Sequence, residues 1–97
     1  MFTGIVECTG LVERCDVIGK SARLRVTSDN FETDGVNLGD SIAVSGVCLT
    51  TIGLGDKFLE FDVSRETLNL VTGLSPGDVV NLERAMTLSS LIGGHLV

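Results

Sequence analysis

Cys48 stands in SGVCLTT (residues 45–51) and Asp62 and Ser64 in FDVSRET (residues 61–67), two β-prone stretches separated by the glycine-rich GLGDK (residues 53–57). If the two stretches pair as a hairpin symmetric about Gly55, Thr50 faces Glu60 and Cys48 faces Asp62. Side chains alternate along a strand, so Val47, Leu49 and Thr51 then share one face with Leu59, Phe61 and Val63, and Cys48, Thr50, Glu60 and Asp62 share the other. The apolar face must be the core, which leaves the thiol, a hydroxyl and the carboxylates pointing outward. A carboxylate beside a thiol disfavours the thiolate, so this set is not an activated nucleophile. It is suited to contact, positioning and hydrogen bonding.

Each residue also has a structural reading. A free cysteine is most often a small buried hydrophobe. Asp62, Ser64 and Thr67 fit a helix cap, and Thr50 fits a strand residue meeting water. Register makes a site on this face plausible without identifying a ligand.

Composition narrows the classes of function. Ninety-seven residues with 43% hydrophobic content suit one domain, burying roughly 60 to 65% of the surface of its unfolded chain. A net charge of −6 opposes phosphate backbones, and four aromatics, all Phe, offer few stacking platforms, so nucleic acid is not an expected partner. Three cysteines without a CxxC spacing, and one histidine near the end of the chain, suggest neither a disulfide framework nor a metal site. No apolar stretch approaches the roughly 18 residues of a membrane span, and the N-terminus lacks the pattern of a signal peptide. A cytoplasmic location without membrane contact is the expectation.

The elements that would hold the site are mostly strands. ARLRVTS (residues 22–28) alternates Ala22, Leu24 and Val26 against Arg23, Arg25 and Thr27, and FLEFDV (residues 58–63) and DVVNLER (residues 78–84) repeat the pattern. LGDSIAV and SPGDVVNL share turn chemistry leading into a strand. With residues 4–17 and 47–52 added, about six strands emerge, a number that suits a small closed barrel or sandwich. SRETLNLV (residues 64–71) breaks the alternation, places Leu68 and Val71 at i and i+3, and predicts a two-turn helix capped by Asp62 or Ser64. A further helical turn over residues 30–34 is a weaker expectation.

The chain opens MFTGIVE, continues through GDSIAVSGVCLT and FDVSRETL, reaches GDVVNLERA and stops at GGHLV. These motifs, in this order and from the first residue to the last, resemble the N-terminal domain of the riboflavin synthases. The resemblance implies an all-β, six-stranded antiparallel Greek-key barrel with one or two short helices, spanning residues 1–97 and forming the N-terminal half of a two-barrel enzyme. It implies a transferase reaction in which two 6,7-dimethyl-8-ribityllumazine molecules dismutate to riboflavin and 5-amino-6-ribitylamino-uracil, with no cofactor or metal. Lumazine and riboflavin are the implied small-molecule partners, and a homotrimer is implied for the full-length enzyme.

By the same resemblance, ligand contacts fall on Gly4, Ile5 and Val6, on Cys48, Leu49 and Thr50, and on Asp62, Val63, Ser64, Arg65, Glu66 and Thr67, with Ser41 at the ring edge. Phe2, covering the ring, and Cys48, positioning or polarising it, are the implied catalytic residues. Glycine at position 4 would let backbone groups approach a flat heterocycle. The catalytic demand is mainly that two rings be held face to face, a proximity effect worth up to about 10 kcal/mol. Because the pattern of the family runs on beyond GGHLV, the chain is expected to be one half of a longer protein, to bind without efficient turnover and to pair with its own copy as a homodimer. GGH then begins a linker, and His95 has no role. A non-catalytic ligand carrier similar to lumazine protein is the alternative, and a small barrel scaffold without ribityllumazine affinity is a third reading.

Overall fold

The computed structural model describes residues 8–29 and 36–84. Six strands, β1 (Cys8–Ile18), β2 (Ser21–Thr27), β3 (Ser41–Val44), β4 (Val47–Gly55), β5 (Phe58–Ser64) and β6 (Val79–Arg84), and one helix, α1 (Arg65–Leu70), make up the fold. The strands close into an antiparallel barrel in the order β1-β2-β5-β4-β3-β6. Among the described residues no helix is long and apolar enough to cross a membrane.

The alternation read in the sequence is the alternation of the barrel wall. Leu24 and Val26 of β2, Ile42 and Val44 of β3, Leu59, Phe61 and Val63 of β5, and Val80 and Leu82 of β6 are almost completely buried and form one core. Between them Arg23, Asp62 and Asn81 face solvent. Ser64 caps α1, its Oγ accepting from the Thr67 N–H at 3.1 Å. Leu68 of α1 and Val71 just after it pack against the core.

The β4–β5 register differs from the symmetric hairpin. The turn is only Asp56 and Lys57, Gly55 pairs with Phe58, and β4 carries an extra residue at Ile52, so Thr51 pairs with Phe61 but Gly53 with Glu60. Thr50 therefore opposes Asp62, not Glu60, so Cys48 does not face Asp62. The glycines at 53 and 55 let β4 stay extended into a shorter turn, and the bulge absorbs the odd residue. Face assignment survives: Thr51 stays inside at 1% exposure and Ile52 is out at 39%.

The paired turn chemistry is real. Asp40 Oδ2 accepts from the Asn37 N–H and Asp78 Oδ2 from the Ser75 N–H, both at 2.8 Å. The reciprocal backbone bonds, Asp40 N–H to Asn37 O and Asp78 N–H to Ser75 O, close each turn. Gly39 and Gly77 occupy the third position at φ 92° and 93°, as a type II turn requires. The twin turns feed β3 and β6, which lie side by side. A Cβ at Gly77 would meet nothing within 4 Å, so Gly77→Ala isolates backbone strain and is expected to cost about 1–2 kcal/mol in urea unfolding. D-alanine at the same position should restore the loss, since its preferred φ is positive.

One core residue is imperfect. The Thr51 hydroxyl is buried without a hydrogen-bond partner among the described residues, and an unsatisfied buried hydroxyl costs about 1–3 kcal/mol. Thr51→Val keeps the branched shape and is expected to raise the melting temperature by about 4–8 °C per kcal/mol recovered. An unchanged or lower midpoint would show that the hydroxyl is satisfied in solution.

Candidate functional site

Closure of the barrel lines up outward-facing residues that are far apart in sequence. In register across adjacent strands run Asp16 of β1, Arg23 of β2, Asp62 of β5, Thr50 of β4 and Ser41 of β3. Ser41 is half-buried and the other four are exposed. Cys48 is exposed one pleat along β4, across from Ala43. The thiol, two hydroxyls and the carboxylate thus share one wall of the barrel. Each is carried outward by a neighbour held in the core, such as Leu49 between Cys48 and Thr50 or Val63 between Asp62 and Ser64.

That division of labour sorts the expected contacts. Leu49 is 5% exposed and Val63 1%, so their side chains fill the barrel and cannot touch a molecule on the outer wall. Ser64 is occupied: besides capping α1, its Oγ donates to Thr67 Oγ1 at 2.9 Å. Thr67, as acceptor of that bond, keeps its own O–H free to donate outward. Arg65 fastens the helix start to the β1–β2 turn, its N–H donating to Lys20 O at 3.0 Å and its Nη1 to Gly19 O at 3.4 Å. Glu66 is exposed in the first helical turn, where a negative charge suits the helix dipole. Phe2, Gly4, Ile5, Val6 and His95 lie outside the described residues, as does the helical turn expected over residues 30–34.

Arg23 was missed as a member of this row. The alternation of β2 puts it outward, but nothing local in the sequence says that β2 lies against β5. Arg25, its neighbour on the same face, has a structural task. Its Nε is 3.5 Å from Glu13 Oε1, its Nη1 is 3.9 Å from Glu60 Oε2, and its guanidinium covers the Phe58 ring at 3.8 Å. This ties β1, β2 and β5 together.

The thiols differ in setting. Cys48 is exposed, and Cys8 and Cys15 are half-buried. Burial pushes the Cys15 thiol up from its usual range, and the adjacent Asp16 carboxylate adds to the effect. Cys15 lines a hollow of about 390 Å³ with Leu68, Val71 and Leu74.

The fold is a closed six-stranded antiparallel barrel with one short helix, and the family is shown directly. The chain belongs to the lumazine binding domain family, whose model matches residues 3–85. Among its relatives, the riboflavin synthase of Bacillus amyloliquefaciens is 46% identical over 99 residues, covering all of this chain and 46% of the relative. The riboflavin synthase of Mycobacterium tuberculosis (strain ATCC 25618 / H37Rv) is 47% identical over 100 residues, again covering the whole chain and 49% of the relative. The chain therefore spans about half the length of these relatives. Among solved structures, LumP complexed with riboflavin matches 91% of this chain and 50% of its own, with a TM-score of 0.69 and 25% identity. LumP complexed with 6,7-dimethyl-8-(1'-D-ribityl) lumazine matches 88% of this chain and 49% of its own, with a TM-score of 0.69 and 26% identity.

Proposed function

We propose that this chain is a ribityllumazine- and riboflavin-binding barrel that works as one half of a riboflavin synthase. The observation that carries the reading is the in-register row Ser41–Thr50–Asp62 with Cys48 beside it, one wall that offers a flat ring a sulfur to lie against and a polyol chain several hydrogen-bonding partners. The relatives named riboflavin synthase and the LumP complexes support it.

In this reading two lumazines dismutate to riboflavin and 5-amino-6-ribitylamino-uracil without a cofactor, and the second barrel brings the second ring. The protein's share is geometric: Thr50, Asp62 and Thr67 hold the ribityl hydroxyls, and Cys48 fixes the ring over β4. Holding two rings in reacting geometry lowers the barrier by the entropy that free molecules would lose. One barrel holds one ring, so this chain binds ligand and turns over poorly. It pairs with its own copy through the face that the second barrel would cover, and the full-length enzyme is a trimer.

Alkylation of Cys48 tests the placement of the ring. Iodoacetamide should modify Cys48 faster than Cys8 and Cys15, and saturating riboflavin should slow Cys48 alone by about tenfold or more, the protection expected when a bound molecule occupies a site most of the time. Peptide mass spectrometry over a time course reads the rate at each cysteine. Binding of riboflavin with Cys48 modified at its free rate would place the ligand elsewhere on the barrel. A non-catalytic carrier similar to lumazine protein predicts the same protection, and the two part when the chain is joined to a second barrel: only the enzyme half then forms riboflavin from the lumazine.

A further inference from the structure

β2 carries two arginines on the outer wall, Arg23 and Arg25, and each has an acid directly opposite on β5, Asp62 and Glu60 respectively. Each also has an acid on the β1 side, Asp16 in register with Arg23 and Glu13 beside Arg25. The Arg25 set is joined, with Nε 3.5 Å from Glu13 Oε1 and Nη1 3.9 Å from Glu60 Oε2. This pairing of β2 with β5 therefore lets an arginine reach the carboxylate across from it. The Arg23 set is open. Arg23 and Asp62 are both exposed and form no ion pair among the described residues, while Asp16 is engaged by Arg14 at 3.7 Å. Aspartate is one methylene shorter than glutamate, and an exposed pair gains little in water, which accounts for the difference.

We propose that Arg23 is a positioning residue for Asp62: when a ligand covers the wall, the guanidinium closes onto the Asp62 carboxylate and fixes the oxygens that accept from the ligand's hydroxyls. The inference rests on the reading of this wall as a ribityl-ligand site in which Asp62 holds the polyol. A carboxylate offers about four lone-pair sites, enough to take an arginine on one side and hydroxyls on the other. A bound molecule also excludes water, and the attraction between the two charges then strengthens, so the pair forms when the site is filled. Other groups near Asp62 do not take this part. Glu60 on the same strand is paired with Arg25, Thr50 across on β4 is neutral, and Arg65 of α1 is hydrogen-bonded to the Gly19 and Lys20 carbonyls. Lys20 and Glu66 stand in the β1–β2 turn and in the first turn of α1, and neither pairs in register with Asp62.

The experiment is a double-mutant cycle on the 97-residue chain, with riboflavin affinity read from flavin fluorescence in the parent, Arg23→Gln, Asp62→Asn and the double variant. Arg23→Gln is expected to weaken binding by about threefold to fivefold in the parent and to change it by less than about 1.5-fold once Asp62 is Asn, because its effect passes through the carboxylate. Acidification gives a second readout, since riboflavin itself does not titrate in the carboxylate range. Arg23 favours the charged carboxylate, so without it the Asp62 carboxyl holds its proton to higher pH, and the pH below which affinity falls should rise by about half a unit. Arg23→Lys, which keeps the charge, should leave that pH in place, as should Lys57→Gln, which removes one positive charge at the β4–β5 turn. Parent-like or tighter binding in Arg23→Gln, an equal loss in the Asp62→Asn background, or an unmoved acid limb overturns this inference and leaves the ribityl-ligand reading standing. Parent-like affinity in Asp62→Asn, or failure of riboflavin to bind the parent, overturns the reading and the inference together.

Discussion

Asp62→Ala is expected to weaken riboflavin binding by about tenfold to a hundredfold, the loss that follows when hydrogen bonds between a carboxylate and ligand hydroxyls are removed. Asp62 is exposed in the ligand-free chain, so the substitution should leave the unfolding midpoint close to that of the parent. That separation of binding from stability makes the result interpretable. Thr50, directly across from Asp62, gives a smaller test of the same wall, because Thr50→Val removes one neutral hydroxyl where Asp62→Ala removes a charge. Quenching of flavin fluorescence over a titration supplies both affinities. Parent-like affinity in both variants would move the ligand off this wall, whatever its affinity for the chain.

The largest effect on stability is expected at Phe61. It is the largest fully buried side chain of the barrel, at 0% exposure, and lies between Leu24 of β2 and Thr51 of β4. Phe61→Ala should cost about 3–5 kcal/mol, because a closed strand wall cannot collapse far into the cavity. Domains of this size are stable by only about 5–15 kcal/mol, so the variant should sit near the edge of folding at 37 °C. Urea denaturation followed by circular dichroism would show the midpoint moving to low denaturant. A loss below about 1 kcal/mol would mean that the interior repacks more freely than a dense core allows. Because Phe61 and Asp62 are neighbours on opposite faces of β5, the two substitutions form a pair: one removes fold and binding together, the other binding alone.

The faces of the strands were legible in the sequence because burial imposes a period of two on side-chain type. That is why Cys48, Thr50 and Asp62 could be placed outside the core, and Leu49, Phe61 and Val63 inside it, before any coordinates. The helix cap was legible to within two residues, Asp62 or Ser64, because a short polar side chain followed by helix formers is the chemistry an N-cap requires, and the structure selects Ser64. The β4–β5 register was not legible. The extra residue at Ile52 changes which side chains are opposite while leaving in and out unchanged, and glycines at 53 and 55 suit a long loop as well as an extended strand. Arg23 was hidden for a different reason. Its place beside Asp62 depends on β2 lying against β5, a neighbour relation set by closure of the whole barrel. Residues 8–82 must all be in place before that order is defined.

The pairing of β1 with β6, Cys8 with Leu82 at its outermost rung, joins segments from opposite ends of the described chain. During synthesis that rung cannot form until β6 has left the ribosome, and pairing over so long a sequence separation is slow. Until then β1 is paired along its β2 edge alone, and its other edge stays open, so the nascent chain is more vulnerable to chaperone capture and protease than the finished molecule.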